Sequence, residues 1–314
     1  MKLEKILSSR ERSKDPWNDV IYEWEDVIAD YFSVPIVPRL SSPVPKGSLT
    51  LSFSLSPFRD ACFNIAGFSS FVVDFYLRSD EDLRKFYEGL SHNPLVFISS
   101  AEAFEFLRAK GCPLPIRHVA LSLSDRYRIS ASTRFDKDLD LVVIGRPNAV
   151  LLDYIRRYEQ EHPDFVWVRR EYWRLKTNGE HYTHFVSSRG EDLGFADDRV
   201  SYFNLLKRAR STIYSTPGID DSRKKSNGFN QVTPRFLEYL CCGCHVLSRY
   251  TLNPDTEYYE FPKLMPHLET YEQFREALER ALTEDVDMKK YSEYLNKHYT
   301  SVRCAELKRI LEES

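Results

Sequence analysis

The chain has 314 residues, 42% of them hydrophobic and 29% charged, with a net charge of −3. That length exceeds one ordinary core and suits two α/β domains. The charge argues against a general nucleic-acid binder, and no apolar run reaches membrane-spanning length.

Met1 to Asp15 is charged and lacks the apolar core of a secretory signal. A cytoplasmic chain with reduced cysteines is therefore expected. Trp17, Val20, Ile21, Trp24, Val27, Ile28 and Tyr31 recur at steps of three and four, which predicts a helix over Asp15 to Phe32. Asp15-Pro16 is its start signal. Four prolines make 34–47 an extended connection. Ser48 to Phe53 alternates as a strand does, whereas 58–70 carries no decisive pattern. Phe71 to Leu77 reads as a strand, and Asp80 caps a helix running to Leu90. Pro94 to Ser99 and Ile116 to Leu123 read as strands, with a helix over Ala101 to Lys110, stopped at Gly111, between them. Alternating strands and helices imply a parallel sheet with crossover helices. No strand is evident at the N-terminus.

Polar residues 124–137 form the predicted interdomain linker. A second α/β run follows: strand Leu139 to Ile144, the turn Gly145-Arg146-Pro147-Asn148, helix Ala149 to Gln160 and strand Phe165 to Val168. Glu171 to Tyr182 reads as a polar insertion, Thr183 to Ser187 as a strand, Arg199 to Arg208 as a helix and Thr212 to Ser215 as a short strand. The loop 216–230 is long for a compact domain, which favours a functional loop. It leads into the block that anchors the chain. Pro234 suits a first helical turn, Phe236, Leu237 and Leu240 form one apolar face, and Gly243 stops the helix before a buried strand, Cys244 to Leu247. Helices near Tyr271 to Leu282, Met288 to His298 and Val302 to Glu312 close the chain.

Several residues here suit ligand chemistry. Glu238, near a helix start at the mouth of a sheet, can accept two hydrogen bonds from a ribose diol. It can equally be a helix-terminal glutamate stabilised by the dipole. Arg235 carries a fixed fork of donors suited to a diphosphate, or it pairs with Glu238 one turn on. Thr233 is the candidate N-cap. Gly145 lets a ligand approach the backbone, and Arg146 can meet phosphate oxygens, although an ordinary turn would look the same. Arg223, Lys224 and Lys225, beside Asp220 and Asp221, either close over an anion or form a solvated charge run. Asp74, a charge inside an apolar strand, is a candidate general base or a paired strand-end carboxylate. Arg59 and Asp60 are weaker candidates. Asp138-Leu139-Asp140 precedes its strand and so lies at the wrong end for a metal–diphosphate site. Cys241, Cys242, Cys244 and His245 lack metal-knuckle spacing and read as packing residues. His92, His118 and His267 have no partner evident from sequence and read as surface or satisfied core histidines.

Arg235-x-x-Glu238, followed by Gly243-x-x-Val246-Leu247, resembles a helix–glycine–strand block shared by many nucleotide-sugar glycosyltransferases of the GT-B fold. The Ser215-Thr216-Pro217-Gly218 loop and the Ile144-Gly145-Arg146 strand end resemble the same donor domain. The likeness runs from Leu139 to Tyr250, and over the first 125 residues it is one of architecture. It implies an α/β chain of two Rossmann-like domains: a small acceptor domain at 1–127, a donor-nucleotide domain at 128–297, and a C-terminal helix at 298–314 packing back on the first. It further implies transfer of a sugar from a nucleoside diphosphate sugar, with UDP-sugar the expected donor, to a glycan, lipid-linked or small-molecule hydroxyl. No metal or separate cofactor, no nucleic acid and at most a peripheral membrane contact are expected. In that picture Glu238 meets the ribose, Gly145, Arg146, Ser215, Thr216, Thr233 and Arg235 surround the donor, and Asp74 is the base. The family's retaining members carry an acidic residue eight positions before the ribose glutamate, where this chain has Asn230. An epimerase or hydrolase on the same scaffold, or a non-catalytic partner subunit, are the competing readings.

Overall fold

A computed structural model describes residues 1–11, 19–39, 44–55, 65–175, 181–221 and 223–314. The Asp15-Pro16 helix start, Trp17, Arg59, Asp60 and Cys62 lie outside them.

The first sheet contains β1 (Lys2–Leu7), β2 (Ile36–Val37), β3 (Ser48–Ser54), β4 (Phe68–Val72), β5 (Val96–Ile98) and β6 (Ile116–His118). All are parallel, in the order β2-β1-β3-β4-β5-β6. The helices α1 (Asp19–Phe32), α2 (Asp80–Gly89) and α3 (Ala101–Ala109) cross between strands. β1 is the strand that the sequence pattern hides. A register shift between Leu3 and Lys5 breaks its alternation, and Lys2, Glu4 and Lys5 tolerate the strand because its partner on that side, β2, reaches only Ile6 and Leu7. β3 is buried along all seven residues, as a central parallel strand is. β4 ends at Val72, not Leu77. Its neighbours stop at Ser54 and Ile98, so 73–77 has no ladder to join. Phe75 instead buries in a cluster with Phe86 and Phe229. The cap of α2 is Ser79, whose hydroxyl accepts from the Asp82 N–H, with Asp80 already inside the helix.

The second sheet contains β7 (Leu139–Val143), β8 (Trp167–Leu175), β9 (His181–Ser187), β10 (Asp192–Phe195), β11 (Ala209–Ser215) and β12 (His245–Arg249). Its order is β10-β9-β8-β7-β11-β12. β12, β11, β7 and β8 are parallel, β9 runs antiparallel to β8, and β10 runs antiparallel to β9. Residues 171–175 and 181–182 of the expected polar insertion are therefore strand. The helices are α4 (Ala149–Glu161), α5 (Arg199–Arg208), α6 (Arg235–Cys241), the short α7 (Pro254–Tyr258) and α8 (Phe261–Leu264), then α9 (Tyr271–Thr283), α10 (Met288–Leu295) and α11 (Thr300–Glu313). Gly243 ends the α6 region at φ +64°, the left-handed conformation that favours glycine. Cys241, Cys242 and Cys244 are buried in this core, and burial pushes the Cys244 thiol up to about 12. The last helix, α11, puts Cys304, Leu307, Ile310 and Leu311 into the core of the first sheet.

Chain order creates the site. β7 opens the second half; the chain then moves to β8 on one side and later returns to β11 on the other. The connections that leave the carboxyl ends of β7 and β11 therefore go to opposite sides, and such a switch point is where open α/β sheets bind ligands.

Candidate functional site: an arginine cluster at the switch point

Strand register decides which side chains meet. Thr212 pairs with Val142, so Ser215 and Thr216 stand level with Gly145 and Arg146. Val143 pairs with Arg169 on the other flank, which brings Arg170 level with Ile144. Gly145 has φ +84°, and a Cβ there would lie 2.6 Å from Arg235 Nη1 and 2.9 Å from its Cζ. The Arg235 guanidinium thus rests on the Gly145 backbone, which explains why glycine is needed.

Arg146, Arg170 and Arg235 form one electrostatic group. Burial pushes the Arg170 pKa down, and the charges of Arg146 and Arg235 push it the same way. Arg146 is exposed, and the other two are half-buried. Among the described residues no carboxylate pairs with any of the three. Among the described residues most other arginines pair with acids, as Arg249 does with Asp220 at 2.5 and 2.8 Å. Cations gathered at a strand end without ion-pair partners suit an anion with several oxygens. Arg170 was invisible in the sequence because Arg169-Arg170 looks like any polar strand end. Only its register beside Gly145 distinguishes it.

The other expected residues divide. Thr216 is buried; its hydroxyl donates to Asn230 Oδ1 at 2.7 Å, and Ser215 closes β11. Thr233 does not cap α6. Pro234 is the cap residue, without a side-chain bond, and the Thr233 N–H donates to the Tyr214 hydroxyl at 3.0 Å. Glu238 is only 4% exposed, and each of its oxygens already has a donor. Arg199 Nη2 donates to one at 2.6 Å and the Tyr202 hydroxyl to the other at 2.7 Å. Arg199 also reaches Glu23 on α1, at 3.1 Å. Arg235 does not pair with Glu238, although it feels that charge.

The loop 216–230 docks on the first half. Phe229 is fully buried among Phe75 and Phe106. Asn230 N–H donates to Glu102 at 2.7 Å. The Gln231 amide donates to the Val73 carbonyl and to Ser99 Oγ, and its oxygen accepts from the Phe75 N–H. Asp74 lies just beyond β4 and faces Arg223 Nη2 at 3.5 Å, while Arg223 Nη1 donates to the Tyr76 hydroxyl at 3.0 Å. Lys224 and Lys225 are exposed. Asp255 completes the seam. It is 1% exposed and accepts from Ser100 Oγ and the Ala101 N–H at the start of α3. Burial raises its pKa to about 7.

No protein-family model matches the chain, and no curated protein does. Solved structures do. Sucrose-phosphate synthase from Thermosynechococcus elongatus is 9% identical with a TM-score of 0.52, covering 100% of this chain and 99% of that one. An α,α-trehalose-phosphate synthase (UDP-forming) from Burkholderia xenovorans is 12% identical with a TM-score of 0.50, over 85% and 74%. The pneumococcal O-GlcNAc transferase, solved with UDP and GlcNAc, is 10% identical with a TM-score of 0.50 over 93% of this chain. The chain spans 60% of that transferase's length. These likenesses show the fold: two Rossmann-like halves in the GT-B arrangement.

Proposed function

We propose that this GT-B chain transfers a glycosyl group from a nucleoside diphosphate sugar to a hydroxyl acceptor. The observation that carries the reading is the arginine cluster. Three guanidinium groups at the β7/β11 switch point have no carboxylate partner among the described residues, and Arg235 lies against a glycine backbone that leaves room for it. Their chemistry suits a diphosphate leaving group, whose developing charge they would stabilise without a metal. Arg146, Arg170 and Arg235 are the proposed diphosphate contacts. Thr216 orders the adjoining turn through Asn230. Asp74 is the proposed base, and it acts only once Arg223 releases it. UDP is the expected nucleotide, in keeping with the UDP named for the structurally similar O-GlcNAc and trehalose-phosphate enzymes.

Titration with UDP, followed by thermal unfolding, tests the reading. Saturation at about 100 times Kd stabilises a folded protein by roughly 2.7 kcal/mol. A melting temperature unmoved by UDP, and by the other nucleoside diphosphates, would sink it. One observation favours a second reading, a nucleotide-binding subunit without catalysis: Gln231 and Phe229 fill the seam between the halves, where an acceptor would have to enter. Release of UDP from UDP-sugars, with and without added hydroxyl acceptors, separates the two.

A further inference from the structure

The loop 216–230 takes part in two arginine–carboxylate pairs of very different quality. Asp220 accepts two bonds from Arg249, at 2.5 and 2.8 Å, and one from the Asn148 amide at 2.9 Å. These tie the loop to the end of β12 and the start of α4. Arg223 is folded back onto the end of β11, where its N–H donates to the Pro217 carbonyl at 3.0 Å. Its backbone therefore stands at the carboxyl edge that also carries Gly145, while its side chain crosses to the first half. There its donors are largely unspent. Nη1 donates to the Tyr76 hydroxyl at 3.0 Å, but Nη2 lies 3.5 Å from Asp74, beyond the roughly 2.7–2.9 Å of a charge-assisted bond. Nε is buried and has no hydrogen-bond partner among the described residues. The Tyr76 ring, 4.8 Å from Cζ, holds the guanidinium in place. The Arg223 side chain is 33% exposed and that of Asp74 24%, so small solutes can reach both. Arg78, on the same first-half segment, repeats the pattern. It lies 4.1 Å from the Phe229 ring, donates no hydrogen bond among the described residues, and is 3.9 Å from a Glu102 already bonded to Asn230 and Asn253.

A loose, partly exposed ion pair adds little stability, and a buried N–H without an acceptor costs some. Arg223 is therefore poorly explained as a tether between the halves. We infer that Arg223 anchors a second anion site, at the mouth of the first sheet, for a phosphate monoester, and that the phosphate competes with Asp74 for the guanidinium. The one carboxylate in reach leaves the fork unengaged, whereas a phosphate offers three oxygens to Nε and Nη2 together. Lys224 and Lys225, exposed beside Arg223, favour a doubly charged group over a singly charged one. The role this gives to Asp74 rests on the function proposed above; the anion site does not. In that role the hydroxyl acceptor carries a phosphate, which draws Arg223 from Asp74 and frees the base only when an acceptor is in place. The hydroxyl proton then passes to Asp74 as the acceptor oxygen bonds to the anomeric carbon, and the bond from that carbon to the diphosphate breaks with its electron pair on the leaving group.

Calorimetry on the full chain, saturated with UDP and titrated with inorganic phosphate or acetate, tests the site. Phosphate should bind, and acetate about tenfold more weakly. Arg223→Met should weaken phosphate about tenfold or more. Asp74→Asn removes the competitor and should tighten phosphate about threefold. It keeps the shape of the side chain, so the question stays open to measurement even where Arg223→Met fails to fold. No binding of phosphate, or an affinity unchanged by both variants, overturns the site. A loss in Arg223→Met without a gain in Asp74→Asn overturns the competition with Asp74. Acetate binding as tightly as phosphate overturns the assignment to a phosphate. A wild-type protein that ignores UDP defeats the donor reading instead, and the same phosphate titrations without UDP then decide the anion site alone.

Discussion

The two places where charge gathers in this molecule are built in opposite ways. At the seam between the halves the buried side chains of Asp255, Gln231 and Glu102 have partners. Asp255 accepts from Ser100 and Ala101, Gln231 uses its oxygen and its amide, and Glu102 holds the Asn230 N–H. At the β7/β11 switch point three arginines gather without an ion pair to any carboxylate among the described residues, and Glu238, whose charge Arg235 feels, is committed to Arg199 and Tyr202. Buried polar groups that are satisfied hold a structure together; cations left uncompensated cost stability and are retained for what they bind. The contrast separates residues that hold the halves together from residues offered to a ligand, and it can be broken at either end.

The seam should give the largest effect. Burial lifts the Asp255 carboxyl from an ordinary 3.8 to about 7. Its folded pKa is therefore the higher one, and between those values the folded state holds a proton that the unfolded state has lost. Stability should thus fall as pH rises from about 4 to about 7 and level off above. The full difference is worth at most roughly 4 kcal/mol. Asp255→Asn removes this component. The check is the difference in unfolding free energy between wild type and Asp255→Asn across that pH range: it should widen in the variant's favour towards neutral pH, and parallel profiles would refute the assignment.

Gly145→Ala comes next and strikes the other region. At φ +84° an alanine costs about 1–2 kcal/mol in backbone strain alone. Its Cβ would also push the Arg235 guanidinium away. Both stability and UDP affinity should fall, and UDP affinity should fall further than the strain alone would predict. Loss of stability with unchanged UDP affinity would make Gly145 a turn residue only. Arg170→Met sharpens the contrast, because here the two quantities should move apart. Relief of repulsion from Arg146 and Arg235 should stabilise the unliganded protein slightly, by about 0.5 kcal/mol, whereas loss of a charged donor should weaken UDP about tenfold or more. A variant that loses stability and keeps UDP affinity would place Arg170 among the structural residues.

How far the sequence revealed these regions depends on distance along the chain. The helix–glycine–strand block at 234–247 was legible because its signals are local: a proline at the start, an apolar face and a glycine stop. Gly145 and Arg146 were legible as a strand end for the same reason. Arg170 needed the pairing of β7 with β8, and Arg199 needed three elements brought together, so neither stood out. β1 was missed because its irregular register erased the alternation that marks a strand. Phe71 to Leu77 was read too long because composition gives a strand's apolar character but not the point where its partners stop. Asp74 accordingly moved from mid-strand to the mouth of the sheet, where a carboxylate is less costly and Arg223 can reach it.

The smallest expected effect concerns the basic run at 223–225, which sequence alone treats as one feature. The structure divides it. Arg223 reaches Asp74 and Tyr76 on the first half, with its guanidinium 4.8 Å from the Tyr76 ring centroid. Lys224 and Lys225 point into solvent, where a flexible ammonium is well hydrated and screened by salt. The double variant Lys224→Ala, Lys225→Ala should therefore change UDP affinity by less than about twofold at physiological ionic strength. Calorimetry at low and at physiological salt reads this directly. A loss that persists at physiological salt would mean that the loop folds over the nucleotide, and the run would then join the arginine cluster rather than the seam.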